Sequence, residues 1–415
     1  MTRRVTQVGI EVDSATGGHV GLAAFAHFVE NCPTVSYPAF GGGWEVWLLD
    51  TQGGLRVPLE NFTSLEYVRA INGQYFHGYG YYTLIGPRTK NPVDEFTLDR
   101  SLVVFREGTG GLVAEFGGLH RNVKFWHDEQ GTELFSSSGP DYKHLLKRRI
   151  IIPPQGEDFL TIDLPLTDTM RELVRECTVA GVTAEGREYT NWDVIAEQKQ
   201  GVRQSLNYRY STLYDELDML SGLGVDWDVV RDGPDFRFES YLPYKGRDLR
   251  LNNECGFPPF VMSLDFTNID EPSTELNRSD EFNVAYVGGV GVGKDRIIVE
   301  RSGFYDAHLD SPYNRIETFV DASNDDNIAS LMAQGDAHLV EYGSYLLFSC
   351  TIPEGEAQRY GTQWNLGDMC TGLYGGYEFD MRVVEVRVRI DFEAEQSVTI
   401  SPTLLVYPGW QPTNA

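Results

Sequence analysis

Apolar and polar residues alternate with a period of two over much of this chain. The clearest run is Val384, Val386, Val388, Ile390 and Phe392, separated by Glu385, Arg387, Arg389 and Asp391. Successive side chains of a strand point to opposite faces, so this run predicts a strand with one face on a core and the other toward water or a neighbour. The first 160 residues carry six shorter strand patterns, GGGWEVWLLD, SLEYVRAI, YYTLIGP, SLVVFREG, LVAEFGG and VKFWHDEQG, parted by glycine and proline. Their spacing and aromatic content predict an antiparallel barrel or sandwich.

Three stretches switch to helical spacing. From Thr169, the residues Met170, Leu173, Val174 and Cys177 share a face, and Thr169 with Glu172 fits a capping box. From Ser211, Leu213, Leu217 and Leu220 repeat at i, i+4 and i+7, with Asp215 and Glu216 in the first turn and Gly222 after the end. A third helix begins near Asn324 or Asp325, carries Ile328, Leu331, Met332 and Leu339, and stops at Gly343. In DWDVVRDGPDFRFESYL, Val229, Val230, Phe236 and Phe238 flank an Asp232-Gly233 turn, a hairpin signal. Together these predict a mainly β fold with an α+β insert, two barrel-like domains flanking a mixed α/β domain. The expected boundaries are 1–43 (an N-terminal segment of unassigned structure), 44–160 (first barrel-like domain), 161–250 (insert) and 251–415 (second barrel-like domain with one packed helix).

At 415 residues and 41% hydrophobic content, the chain can bury several cores. No run approaches the roughly 18 apolar residues of a membrane span, and the start MTRRVTQVGIEVDS lacks the apolar segment of a signal peptide, so a soluble protein is expected. The net charge of −27 is distributed as −4 over residues 1–160, −9 over 161–270 and −14 over 271–415. Such a field repels phosphate and argues against sequence-specific nucleic-acid binding. It serves solubility, or the wall of a conduit past which DNA slides without sticking. The dense basic cluster Lys143, Lys147, Arg148 and Arg149 reads as a solvated face or a set of intersubunit ion pairs, with Leu145, Leu146 and Ile150 to Ile152 inward. Cys32, Cys177, Cys255, Cys350 and Cys370 are odd in number, widely spaced and free of CxxC pairs, and are expected as reduced thiols.

Candidate chemistry is sparse. Gly288 and Gly293-Lys294 match the spacing of a P-loop, but Asp295 stands where Ser or Thr would hold magnesium, and the β-branched RIIVE follows where a helix is needed. A glycine-rich hairpin is expected instead. Asp306, His308 and Asp310 could face one side of an extended segment as cation ligands, yet nothing nearby completes the set, so a solvated loop is expected. His27, His77, His120, His127 and His144 lie among aromatic or strand residues and read as packed side chains. Neither HExxH nor GxSxG occurs, and no enzyme, cofactor or metal centre is expected. The tyrosines of GQYFHGYGYY could form a carbohydrate or protein contact surface, or pack one sheet on another.

Three stretches, PFVMSLDFTN, DEFNVAYVGGVGVGKDR and TFVDASN, together with the WNLGD turn and the closing strand MRVVEVRVRIDF, resemble the tail hub or tail-tip (baseplate hub) family of long-tailed bacteriophages. A Gly-x-x-x-x-x-Leu-Leu-x-Arg-Arg-Ile pattern is matched by Gly139, Leu145, Leu146, Arg148, Arg149 and Ile150. Departures are Ser323, where the family has arginine, and Asn324, one place beyond its usual acidic residue. The likeness covers residues 44 to 406. It implies a structural virion protein, a homotrimeric hub of pseudo-sixfold symmetry at the distal end of the tail tube, assembled in the host cytoplasm. It would contact the tube and distal tail proteins, the tape-measure end and a tip fibre or spike, and form part of the DNA ejection conduit. The alternatives are a tail-borne cell-wall or polysaccharide hydrolase, or a glycan-binding adhesin.

Overall fold

A computed structural model describes residues 40–50, 54–59, 62–73, 76–91, 93–97, 100–108, 111–179, 186–232, 235–302, 312–343, 345–353, 359–391, 397–406 and 413–414. The N-terminal region forms β1 (Phe40–Leu49), β2 (Leu55–Pro58), β3 (Ser64–Ala70), β4 (Asn72–Gly73), β5 (Phe76–His77), β6 (Tyr81–Pro87), β7 (Ser101–Gly108), β8 (Gly111–Leu119), β9 (Asn122–His127) and β10 (Glu133–Pro140). The middle forms β11 (Leu160–Pro165), α1 (Leu166–Thr178), β12 (Trp192–Val194), β13 (Arg203–Tyr208), α2 (Leu213–Ser221), β14 (Asp226–Asp232) and β15 (Asp235–Tyr241). The last region forms β16 (Val261–Ser263), β17 (Asp270–Asn277), β18 (Val284–Gly288), β19 (Ile298–Ser302), β20 (Glu317–Asp321) and α3 (Ile328–Glu341). It ends in β21 (Tyr345–Thr351), β22 (Met369–Tyr374), β23 (Tyr377–Asp391), β24 (Ser397–Val406) and β25 (Thr413–Asn414).

The largest sheet joins the two ends of the chain. Its main path runs β17-β21-β24-β23-β3-β6-β10-β9, with β16, β22 and β25 branching from the β23 side. The joint is the antiparallel pairing of β23 with β3, from Glu385 opposite Ala70 to Asp391 opposite Ser64. Val384, Val386, Val388 and Ile390 are buried there, as their alternation predicts, and Phe392 lies outside the described residues. A second sheet, β2-β1-β7-β8, covers the N-terminal half. Val46, Leu48, Leu102 and Val104 from it share one core with Tyr67, Tyr82, Val386 and Leu404. Among the described residues no sheet closes on itself, so the expected barrels are open sheets. The physical reason is the joint: once β3 and β23 hydrogen-bond to each other, neither strand set needs its own closure to satisfy those edges.

The middle region packs α1 and α2 on β12-β15-β14, a sheet that continues into β4 and β5 of the N-terminal region. The Val229 and Phe238 strands form the predicted hairpin, pairing from Asp226 opposite Tyr241 to Asp232 opposite Asp235. Helix α1 starts at Leu166, three residues before the expected cap. Pro165 fixes the entry, the Thr169 hydroxyl donates back to the Leu164 carbonyl at 3.2 Å, and Glu172 is taken by Arg175. Helix α2 ends at Gly222, whose φ of −56° any residue could adopt. Its glycine answers a close approach instead, since a Cβ there would lie 3.2 Å from the Ala337 Cβ of α3.

Helix α3 lies on the sheet β19-β18-β20, with Leu331 buried against Val287 and Ala322. Its cap is Asn327, whose side-chain oxygen accepts from the Ala329 amide at 2.9 Å, two to three residues later than the start near Asn324 or Asp325 that the spacing favoured. Asn327→Ala should therefore cost about 1 kcal/mol of stability, read as a lowered denaturant midpoint. Cys177, Cys350 and Cys370 are free and buried, as expected for reduced thiols, whereas Cys255 is disulfide-bonded. No helix among the described residues is long and apolar enough to cross a membrane.

Candidate functional site

Two regions of the fold concentrate charge. The first is the outer face of the joint, where the polar positions of β23 alternate with its core residues. Arg387 donates to Glu66 of β3 at 2.6 Å and its guanidinium lies 5.8 Å from the Tyr81 ring centre, while Arg389 pairs with Asp391 at 2.8 Å. Burial pushes the Glu385 carboxyl above its usual range. Because β23 is flanked on both sides, its backbone is spent and a partner could meet only these side chains. Unpaired backbone lies at the ends of the path. Edge strand β9 exposes Val123 and Phe125, and edge strand β17 exposes Leu276 and carries an irregular register between Asp270 and Ser273.

The second region is a buried set of ion pairs where the three parts of the chain meet. Arg69 of β3 donates to Glu115 of β8 at 3.1 Å and to the Tyr360 hydroxyl at 2.8 Å. Arg382 of β23 pairs with Asp226 of β14 and donates to the Lys245 carbonyl, while Lys245 reaches Asp228 at 2.5 Å. Arg247 holds Asp368 at 2.7 Å, and the Asn365 amide donates to the same carboxylate. A cavity of about 110 Å³ lies among Arg69, Glu115, Asp141, Tyr142, Asp228 and Arg231. Burial pushes the Asp141 carboxyl up to about 6 even though Lys143 stands 3.6 Å away. Burial also opposes ionisation of Asp228, but the Lys245 and Lys143 ammonium groups more than offset it and hold that carboxyl below its usual range. Each carboxylate around the cavity thus has its own cation: Arg69 for Glu115, Lys143 for Asp141, Lys245 for Asp228. This arrangement fastens strands together.

The model of the family described as Siphovirus ReqiPepy6 Gp37-like protein matches residues 44–404. The chain belongs to that family. The fold is similar to the tail protein from Neisseria meningitidis MC58, with 14% identity over 89% of this chain and 98% of that one, and a TM-score of 0.55. It is also similar to the prophage MuSo2 43 kDa tail protein from Shewanella oneidensis, with 12% identity over 86% and 97% of the two chains and a TM-score of 0.54. No curated protein matches it. The chain is thus a member of a siphovirus protein family with a fold found in phage tail proteins, in keeping with the resemblance read from its sequence.

The motif residues take structural places. Gly139 admits the Leu119 carbonyl, which would sit 1.8 Å from any Cβ at that position. Leu146 and Ile151 are buried, but Ile150 and Ile152 are exposed, because this stretch alternates like a strand and pairs through Ile151 with Tyr210 and Ser211. The basic cluster is dispersed. Lys143 is buried, Lys147 lies over the Tyr79 and Tyr214 rings, and Arg149 lies over Tyr189. The glycine-rich segment is the antiparallel hairpin of β18 and β19, with Gly288 opposite Ile298 and a short turn at Gly293–Asp295. Asp306, His308 and Asp310 lie outside the described residues, as do His27 and residues 1–39. Among the described residues no group of His, Cys, Asp and Glu is placed to hold a metal ion. His120 meets the Ser137 hydroxyl at 2.7 Å, but both are buried in the core beside Tyr82. Tyrosines 79, 81 and 82 divide between the two readings, the first two exposed beside cations and the third buried.

Proposed function

We propose that this protein is the hub at the distal end of the tail tube, a homotrimer that joins the tube and distal tail protein to the tip fibre or spike and meets the end of the tape measure. The observation that carries this reading is the eight-strand path of the large sheet. Four of its strands, β17, β21, β24 and β23, come from residues 251–415, and the other four, β3, β6, β10 and β9, come from residues 44–160. Three subunits would therefore offer six four-strand units around one axis, which suits a threefold protein that continues a sixfold tube. Residues 161–250 form the insert between the two halves in this reading. The charge of −27 fits a passage that DNA phosphates traverse without binding, and the role is mechanical and not catalytic.

Mass photometry with electron-microscopy class averages tests it. A threefold ring of about 140 kDa, three chains of 46.7 kDa, is expected. A particle that stays at the monomer mass both alone and with assembled tail tubes would overturn it. Reversing Arg387 and Arg389 to glutamate should abolish the ring while leaving the monomer folded, because exposed pairs of this kind contribute only about 0.2–1 kcal/mol each. Undiminished assembly would remove that face of β23 from the interface.

A further inference from the structure

A cleft of about 420 Å³ lies between β13, α2, the loop after β20 and the start of α3, beside the close approach of Gly222 and Ala337. Its rim is acidic: Glu216 comes from α2, Asp321 from the end of β20, and Asp325 and Asp326 from the loop. None of the residues lining it is Lys or Arg. Asp321 is engaged by Arg296, and Asp325 accepts from the Asn327 amide and the Gln334 side chain, which fixes the loop in place. Asp326 faces solvent. The floor is apolar, with Leu220 buried and Met219 exposed. At the wall stands Tyr208, only 3% exposed, whose hydroxyl is buried and makes no hydrogen bond. A buried polar group left unmatched costs about 1–3 kcal/mol, so this hydroxyl favours whatever brings it a partner.

We propose that this cleft binds a basic segment of a partner polypeptide, seating a lysine or arginine side chain. The two halves of such a side chain match the two halves of the lining. Its aliphatic stem covers Met219 and Leu220, and its charged head reaches the carboxylates and donates to the Tyr208 oxygen. A neutral apolar segment would leave the rim unmatched, and an acidic or phosphorylated one would be repelled by it. The wider charge, −14 over residues 271–415, steers a cationic segment toward this end of the molecule and makes the association dependent on salt.

The test is isothermal titration of the full-length protein with the peptide acetyl-Gly-Lys-Gly-Arg-Lys-Gly-amide, against the same peptide with norleucine at each basic position. Binding of the basic peptide alone is expected, weakening several-fold between low and physiological salt. Asp326→Asn and Tyr208→Phe should each weaken it three- to tenfold. Both variants preserve shape, and circular dichroism with thermal melting confirms their folding. Glu275→Gln on exposed β17, outside the cleft, should leave affinity unchanged. Equal binding of the norleucine peptide, failure to bind at millimolar peptide, or equal losses in Glu275→Gln and the cleft variants would each overturn the proposal, the last by showing only a diffuse attraction to an acidic chain.

Discussion

Replacing Arg382 by leucine should lower the unfolding free energy by about 3–5 kcal/mol, the range for removing one partner of a buried ion pair. Arg382 is 8% exposed and Asp226 is 2% exposed, so the carboxylate left behind could not recover water. It would keep the hydrogen bond from the Lys245 amide, at 2.6 Å. The Lys245 and Gly367 carbonyls would lose a donor as well. Denaturant unfolding followed by tryptophan fluorescence is the measurement, and fully buried Trp227 beside Asp226 makes it sensitive to this junction. Adding Asp226→Leu should restore much of the loss, since a matched apolar pair avoids the stranded charge. A change below about 1 kcal/mol in the single variant would show that the pair does not hold the middle region to β23.

Lys143→Met should be at least as damaging. The buried ammonium donates to the Ala70 carbonyl at 2.6 Å, the Asn72 side-chain oxygen at 2.8 Å and the Gly78 carbonyl at 2.8 Å. Methionine fills similar volume but donates nothing, which strands three acceptors at about 1–3 kcal/mol each. Lys143→Arg should not rescue the fold, because a planar guanidinium cannot replace a compact three-way donor in a closed site. Thermal melting of both variants checks this, and a midpoint close to that of the parent would mean that water reaches those acceptors.

These two residues also mark where the sequence was readable and where it was not. The alternation from Val384 to Ile390 and the helical spacing around Leu331 encode local geometry, and the structure places both as their periods require. The partner of a strand is not local information. Nothing in SLEYVRAI names β23 as its neighbour, so two separate barrels were expected where one continuous sheet forms. Lys143 was grouped with other cations because adjacent charges look like a solvated face, yet the short helix Tyr142–Arg148 turns it inward and leaves Lys147 outside. Arg382 carried no readable signal either: the register irregularity between Val383 and Glu385 shifts the phase of the alternation, so Phe379, Met381 and Val383 face the core before it and Arg382 is buried on the other face against Asp226. The acidic cleft had no signature, because its walls come from two segments, 204–223 and 321–337, far apart in the sequence.

The strand at the centre of the large sheet is made long after the strand it pairs with. Arg387 and Glu66, paired across the joint, are 321 residues apart, so a ribosome must add that length of chain after β3 before β3 can meet its neighbour. Until then the N-terminal half carries an open, apolar strand edge, and closing so long a loop is slow. The large sheet therefore becomes continuous only once β23 has been made. Nascent or C-terminally shortened chains would expose the edge that β23 covers and would be prone to pair with one another there.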